Sequence, residues 1–173
     1  SYADRIPGLR VVRNPTRLGA VGNVNRCIDL AEGRWIKPVF QDDLIDPDCL
    51  SVMRSARQPG VPIVVCGRRY LFEGDIPSFR REACDHLVEH SLPRRFGDGL
   101  LRADALANVL VDQAANGYPQ VNVIGEPVVA LFDRRHVRRV GGIDDGFVQL
   151  WDYELVLRLA MRRGLVLVDE PVA

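Results

Sequence analysis

Short runs rich in β-branched and aromatic residues, at 35–40, 62–66, 127–132 and 165–168, alternate with stretches whose apolar residues recur at helical spacing. Val21, Val24, Ile28 and Ala31 define the first such stretch, over 20–32, which Gly33 ends. Strand, helix, strand, helix in this order argues for an α/β chain with a largely parallel sheet and right-handed crossovers. Further helices are predicted over 47–57, 79–90, 102–115, 133–140 and 151–163, the last with Leu155, Leu159 and Ala160 on its apolar face and Gly164 after its final turn. A short strand is predicted over 9–13, before a turn that begins at Asn14 and Pro15.

With 173 residues the chain is within the range of one domain, 1–173, and can bury a substantial core. Its 23 Lys and Arg balance its 23 Asp and Glu, so no net field draws it to nucleic acid or to an anionic membrane. The cysteines Cys27, Cys49, Cys66 and Cys84 are widely spaced and form no C-x-x-C pair, a pattern of reduced thiols and a cytoplasmic chain. There is no run of membrane-span length, and the ends read as those of a piece of a larger domain, incomplete on both sides, opening at Ser1–Arg5 on the tail of a helix or loop.

The run 35–40 ends in Gln41, Asp42 and Asp43. Carboxylates at the C-terminal end of a buried strand lie where open α/β sheets bind ligands. Two adjacent carboxylates repel each other, and a divalent cation compensates them. As a plain turn they would only precede the helix after Pro47, but Asp46 already stands at its capping position. His86, Glu89 and His90 spell H-x-x-E-H, an inverted zinc-hydrolase motif without an evident third ligand, and this gives a remote alternative.

Three segments together resemble family 2 glycosyltransferases of the GT-A fold. They are 19–50, GAVGNVNRCIDLAEGRWIKPVFQDDLIDPDCL; 124–135 with 140–145, IGEPVVALFDRR and VGGIDD; and 151–164, WDYELVLRLAMRRG. The resemblance implies a GT-A-like (Rossmann-like), mostly parallel sheet flanked by helices. It also implies an inverting, metal-dependent transfer of the hexosyl type, from a nucleoside-diphosphate sugar to a saccharide, lipid or other hydroxyl acceptor.

By this resemblance Asp43 binds Mg²⁺ or Mn²⁺ directly, Asp42 assists or holds the ribose, and Asn23, Asn25 and Gln41 lie beside the donor. Asp152 matches the family's base, with Trp151 where the family usually has another acid. Gly141 and Gly142 shape the acceptor loop, and Arg158 matches a helix arginine. The resemblance leaves room for peripheral association with the inner face of a membrane and for a homo-oligomer. The family's N-terminal nucleotide-binding strands have no counterpart before the matched segments. The alternative expectation is therefore a catalytically incomplete fragment or a partner-dependent binding subunit.

Overall fold

The computed structural model describes residues 5–116, 122–147 and 149–173. Ser1–Asp4 lie outside it, and with them most of the segment read as the tail of a helix or loop. Among the described residues the helices are α1 (Gly19–Leu30), α2 (Cys49–Ser55), α3 (Ser78–Glu89), α4 (Leu92–Phe96), α5 (Ala103–Ala115), α6 (Arg134–Arg139) and α7 (Trp151–Arg163). The strands are β1 (Trp35–Ile36), β2 (Ile63–Cys66), β3 (Gly99–Leu101), β4 (Ala130–Asp133) and β5 (Leu165–Val168), with a 3-10 turn at Pro127–Val129 leading into β4.

The strands form one sheet in the order β1-β4-β2-β5-β3. The α/β class and the flanking helices are as expected, but the direction of the strands is not. Only β2 and β5 pair in parallel; β1 with β4, β2 with β4 and β3 with β5 are antiparallel. The alternation was informative about β1, β2 and β5, which all run the same way. It failed for β3 and β4 because the excursion after β2 does not cross back along the sheet. The Asp98 carboxylate, just before β3, accepts from the Asp169 N–H, just after β5, at 2.7 Å. β3 therefore starts at the edge where β2 and β5 end, and must descend from it.

Pairing also fixes the two faces, because directly opposed residues share one. Ile36 opposes Phe132, Ile63 opposes Phe132 from the other side, and Val65 opposes Ala130. This face packs against α1, α6 and α7 through Ile28, Val137, Leu155 and Val156. Alternation puts Trp35, Lys37, Val64 and Cys66 on the opposite face, where α2 lies and Arg57 caps the Trp35 ring at 5.4 Å from its centroid. Strands covered on both faces read as unbroken apolar runs, and β2, β4 and β5 are buried throughout.

The segment 9–13 pairs with no strand among the described residues and is exposed, Val11 at 68%. A period-2 pattern becomes a strand only where a ladder partner takes up its backbone groups. Asp46 is not the cap of α2: Asp48 occupies that position, and the Asp46 carboxylate instead binds Arg69 at 2.7 Å. The helix begins later than expected because the Cys49 N–H first closes a turn onto the Asp46 carbonyl, at 3.0 Å.

Candidate active site

The carboxyl ends of β1, β2 and β5 and the start of β4 all lie at one edge of the sheet. That edge gathers the chain's polar chemistry. Beyond β1 the chain runs without a ladder as far as Phe40, then closes a tight turn. The Asp43 N–H donates to the Phe40 carbonyl at 3.2 Å, and the Asp43 carboxylate accepts from the Phe40 N–H at 3.0 Å. These reciprocal bonds fix Asp43, which is half-buried, while Gln41 and Asp42 are exposed on the crown of the turn.

Phe40 packs edge-on against Trp151, with ring centroids 6.4 Å apart and planes at 80°, an arrangement favoured by the ring quadrupoles. Trp151 opens α7, so this contact joins the acidic turn to the helix end that bears Asp152. The Asp152 carboxylate accepts from the Tyr153 N–H at 2.8 Å and borders a narrow cavity of about 20 Å³, room for a single water. Ile36 and Pro38 line that cavity from the β1 side. Burial raises the pKa of Asp152; backbone N–H groups of Tyr153 and of Asp152 itself oppose the rise, and the negative charge of Glu126 adds to it.

Glu126, at the turn before β4, accepts from Arg68 Nη1 at 2.7 Å and from the Tyr70 hydroxyl at 3.0 Å. Arg68 follows β2, is 5% exposed, and also donates to the Leu87 carbonyl at 3.1 Å. An arginine so deeply buried needs a carboxylate, and the chain supplies one at this edge.

Residues 1–123 match the sequence model of the family described as Glycosyl transferase family 2. The chain belongs to that family. It is also 30% identical over 169 residues to a protein of Mycobacterium tuberculosis (strain CDC 1551 / Oshkosh) named only "Uncharacterized protein MT1568", covering 96% of this chain and 50% of that protein. The chain thus spans about half the length of the curated relative it matches. The family is one of glycosyl transfer, a reaction that uses an activated sugar donor and an acceptor. The matched residues include the acidic turn and Arg68; Glu126 and Asp152 lie beyond them.

Against that family background the other expected residues separate. Asn25 directs its amide at the backbone of Ile143, donating to the carbonyl and accepting from the N–H, each at 2.8 Å. Arg158 grips the same turn from α7, donating to the Val140 and Gly142 carbonyls while Glu154 holds its guanidinium at 2.6 Å. Gly142 is required there: its φ is +75°, and a Cβ would come 2.7 Å from Asn25 Oδ1. Asn25, Gly141, Gly142 and Arg158 therefore build one clamped turn next to α1. Asn23 is exposed and accepts from the Asn14 amide at 2.9 Å.

The zinc alternative finds no support in the geometry. His86 and His90 stack on each other with ring centroids 3.9 Å apart, and His90 Nδ1 lies 2.9 Å from the His86 carbonyl oxygen. No group of three or more His, Cys, Asp or Glu side chains that could hold a metal occurs among the described residues. The expected metal pair, Asp42 and Asp43, is thus no closed protein cage. Two carboxylates do suit Mg²⁺ or Mn²⁺, which are commonly held by one or two carboxylates together with substrate phosphates. Among the described residues no helix is long and apolar enough to cross a membrane.

Sequence reasoning overlooked Lys37. Its Nζ is buried and has no hydrogen-bond partner among the described residues. Burial lowers its pKa, opposed by the thiols of Cys66 and Cys49 and by the Asp43 carboxylate. Burial also pushes the Cys66 thiol up to about 12. A lysine inside the otherwise apolar run 35–40 was the available signal. Arg68 and Glu126, 58 residues apart, carried no such local signal.

Proposed function

We propose that the chain carries the catalytic site of an inverting glycosyltransferase that moves a sugar from a nucleoside-diphosphate donor to an acceptor hydroxyl. The observation that carries this reading is the Phe40–Trp151 contact, which brings the acidic turn and the Asp152 helix end to one edge of the sheet.

In this reading Asp152 accepts the proton of the acceptor hydroxyl as its oxygen bonds to the anomeric carbon. The bond from that carbon to the diphosphate oxygen breaks on the opposite side, so the configuration inverts. A carboxylate whose proton affinity is raised suits general-base work near neutral pH, worth roughly a hundredfold to ten-thousandfold in rate. Asp43, fixed by Phe40, and the exposed Asp42 would hold Mg²⁺ or Mn²⁺, which neutralises charge on a departing diphosphate. Asn25 and Arg158 brace the turn 140–143 beside the site, and Gln41 and Asn23 offer exposed amides to the donor.

The test is calorimetric titration of the chain with UDP in Mn²⁺, repeated with EDTA and with GDP and dTDP. Binding that disappears with EDTA supports the reading and identifies the base of the donor. A folded chain that binds none of the three nucleotides overturns the proposal that it carries a donor site.

A further inference from the structure

The cavity beside Asp152 is lined by apolar residues from every element packed on it: Ile28 of α1, Ile36 of β1, Phe132 of β4, Val137 of α6, and Ile143. Among the described residues the only ionisable side chains on its wall are Asp152 and Glu126. Glu126 is not held there loosely. Each of its two carboxylate oxygens takes a hydrogen bond, one from Arg68 and one from Tyr70. The preceding residue is built around the same arginine: Gly125 has a φ of +109°, and a Cβ on it would lie 2.5 Å from Arg68 Nη1. Asn122 closes the turn, accepting from the Gly125 N–H at 2.9 Å and donating to the Gly125 carbonyl at 3.1 Å.

The shared cavity wall gives this arrangement its effect. Arg68 is absent from the cavity wall and Glu126 is on it, so of the ion pair it is the acidic residue that shares this small cavity with Asp152. The Glu126 side chain is 44% exposed although its partner is 4% exposed. Like charges in shared apolar surroundings repel, so each favours the protonated form of the other.

We propose that Glu126 is a positioning residue for the transfer reaction: a fixed negative charge, on a residue that shares the apolar cavity with Asp152, that strengthens Asp152 as a proton acceptor. The inference rests on the assignment of Asp152 as the base. The upward displacement of the Asp152 pKa, to which Glu126 contributes after burial, agrees with it.

The experiment is a pH titration of the Asp152 carboxyl carbon by NMR in the whole chain, the signal being assigned by its loss in Asp152→Asn. In Glu126→Gln the remaining amide oxygen can still accept from Arg68 while the charge is gone, and the Asp152 midpoint is expected to move to lower pH. Glu126→Asp, which restores the charge, is expected to bring it back toward the wild-type value. Should Glu126→Gln not fold, the double variant Arg68→Met, Glu126→Leu replaces the ion pair by apolar groups, an exchange that folds tolerate well. The midpoint is expected to fall there too, by less, because Arg68 leaves with Glu126. An unchanged midpoint in either folded protein overturns the proposal. Because the readout needs no sugar or nucleotide, its failure is distinct from failure of the transfer reading, which the rate of Asp152→Asn decides.

Discussion

Asn25 and Ile143 are joined by a pair of hydrogen bonds, side-chain amide to backbone N–H and C=O, across 118 residues of chain. The amide thus copies the pattern of a strand neighbour and holds the turn 140–143 against α1. Asn25→Ala is expected to cost about 1–3 kcal/mol by leaving part-buried backbone groups unpaired. Gly142→Ala is expected to be destabilising as well, because it forces φ +75° on a residue with a Cβ and drives that Cβ into the Asn25 amide. In the double variant the steric part disappears, so the two losses should sum to more than the double-variant loss. Urea denaturation of the four proteins measures this coupling; strict additivity would mean that the turn is held elsewhere.

Asp152 links stability to pH in a defined sense. Its pKa is raised in the folded chain, so the folded state binds the proton more tightly than the unfolded state does. Its favourable contribution is therefore complete below the unfolded pKa and is lost as pH rises through the folded pKa. Asp152→Asn, which can still accept from the Tyr153 N–H, is expected to be more stable than wild type at pH 7, with the gain vanishing on acidification. Transfer is expected to fall roughly a hundredfold to ten-thousandfold. Melting temperature against pH for both proteins checks the first statement, and rates the second. A variant that keeps the full rate would remove Asp152 from the role of base.

Lys37 has the opposite sign. Burial lowers its pKa, so its favourable contribution is present above the unfolded pKa and is lost as pH falls through the folded pKa. The Lys37 amine is a buried donor without a hydrogen-bond partner among the described residues. Lys37→Met keeps the volume and removes the donor, and is expected to stabilise the chain by about 1–3 kcal/mol at pH 7. Chemical denaturation decides; a loss of stability would show that the amine finds a partner in solution.

What the sequence made legible follows from how locally each feature is determined. α7 and β5 fall where expected because periodicity, a closing Gly164 and a β-branched run fix them within their own residues. β3 is three residues with a glycine, and no pattern announces it. Strand direction was lost because it depends on where the excursion through α3 and α4 returns, which no local window records. At the site, the acidic turn and Asp152 stood out as motifs. The Arg68–Glu126 pair exists only once β2 and the turn before β4 meet. Asn25 was expected at the donor from its place in the segment that resembles the family; its actual partner, the Ile143 backbone, is a tertiary fact.

The edge contact between Phe40 and Trp151 is the joint between the two halves of the site, and it can be weighed. Aromatic pairs of this geometry contribute about 0.5–1.5 kcal/mol beyond the area they bury. A cycle of Phe40→Leu, Trp151→Leu and the double variant is expected to return a coupling of that size in stability. The same cycle, read by calorimetry with UDP and Mn²⁺, tests more. Phe40 also donates to the Asp43 carboxylate through its backbone N–H, so a displaced ring is expected to loosen the acidic turn. Trp151→Leu should then weaken metal-dependent nucleotide binding although its own side chain belongs to α7. Asp43→Ala sets the scale by abolishing that binding. Were Trp151→Leu to bind as wild type does, the two halves would act independently and the contact would serve packing alone.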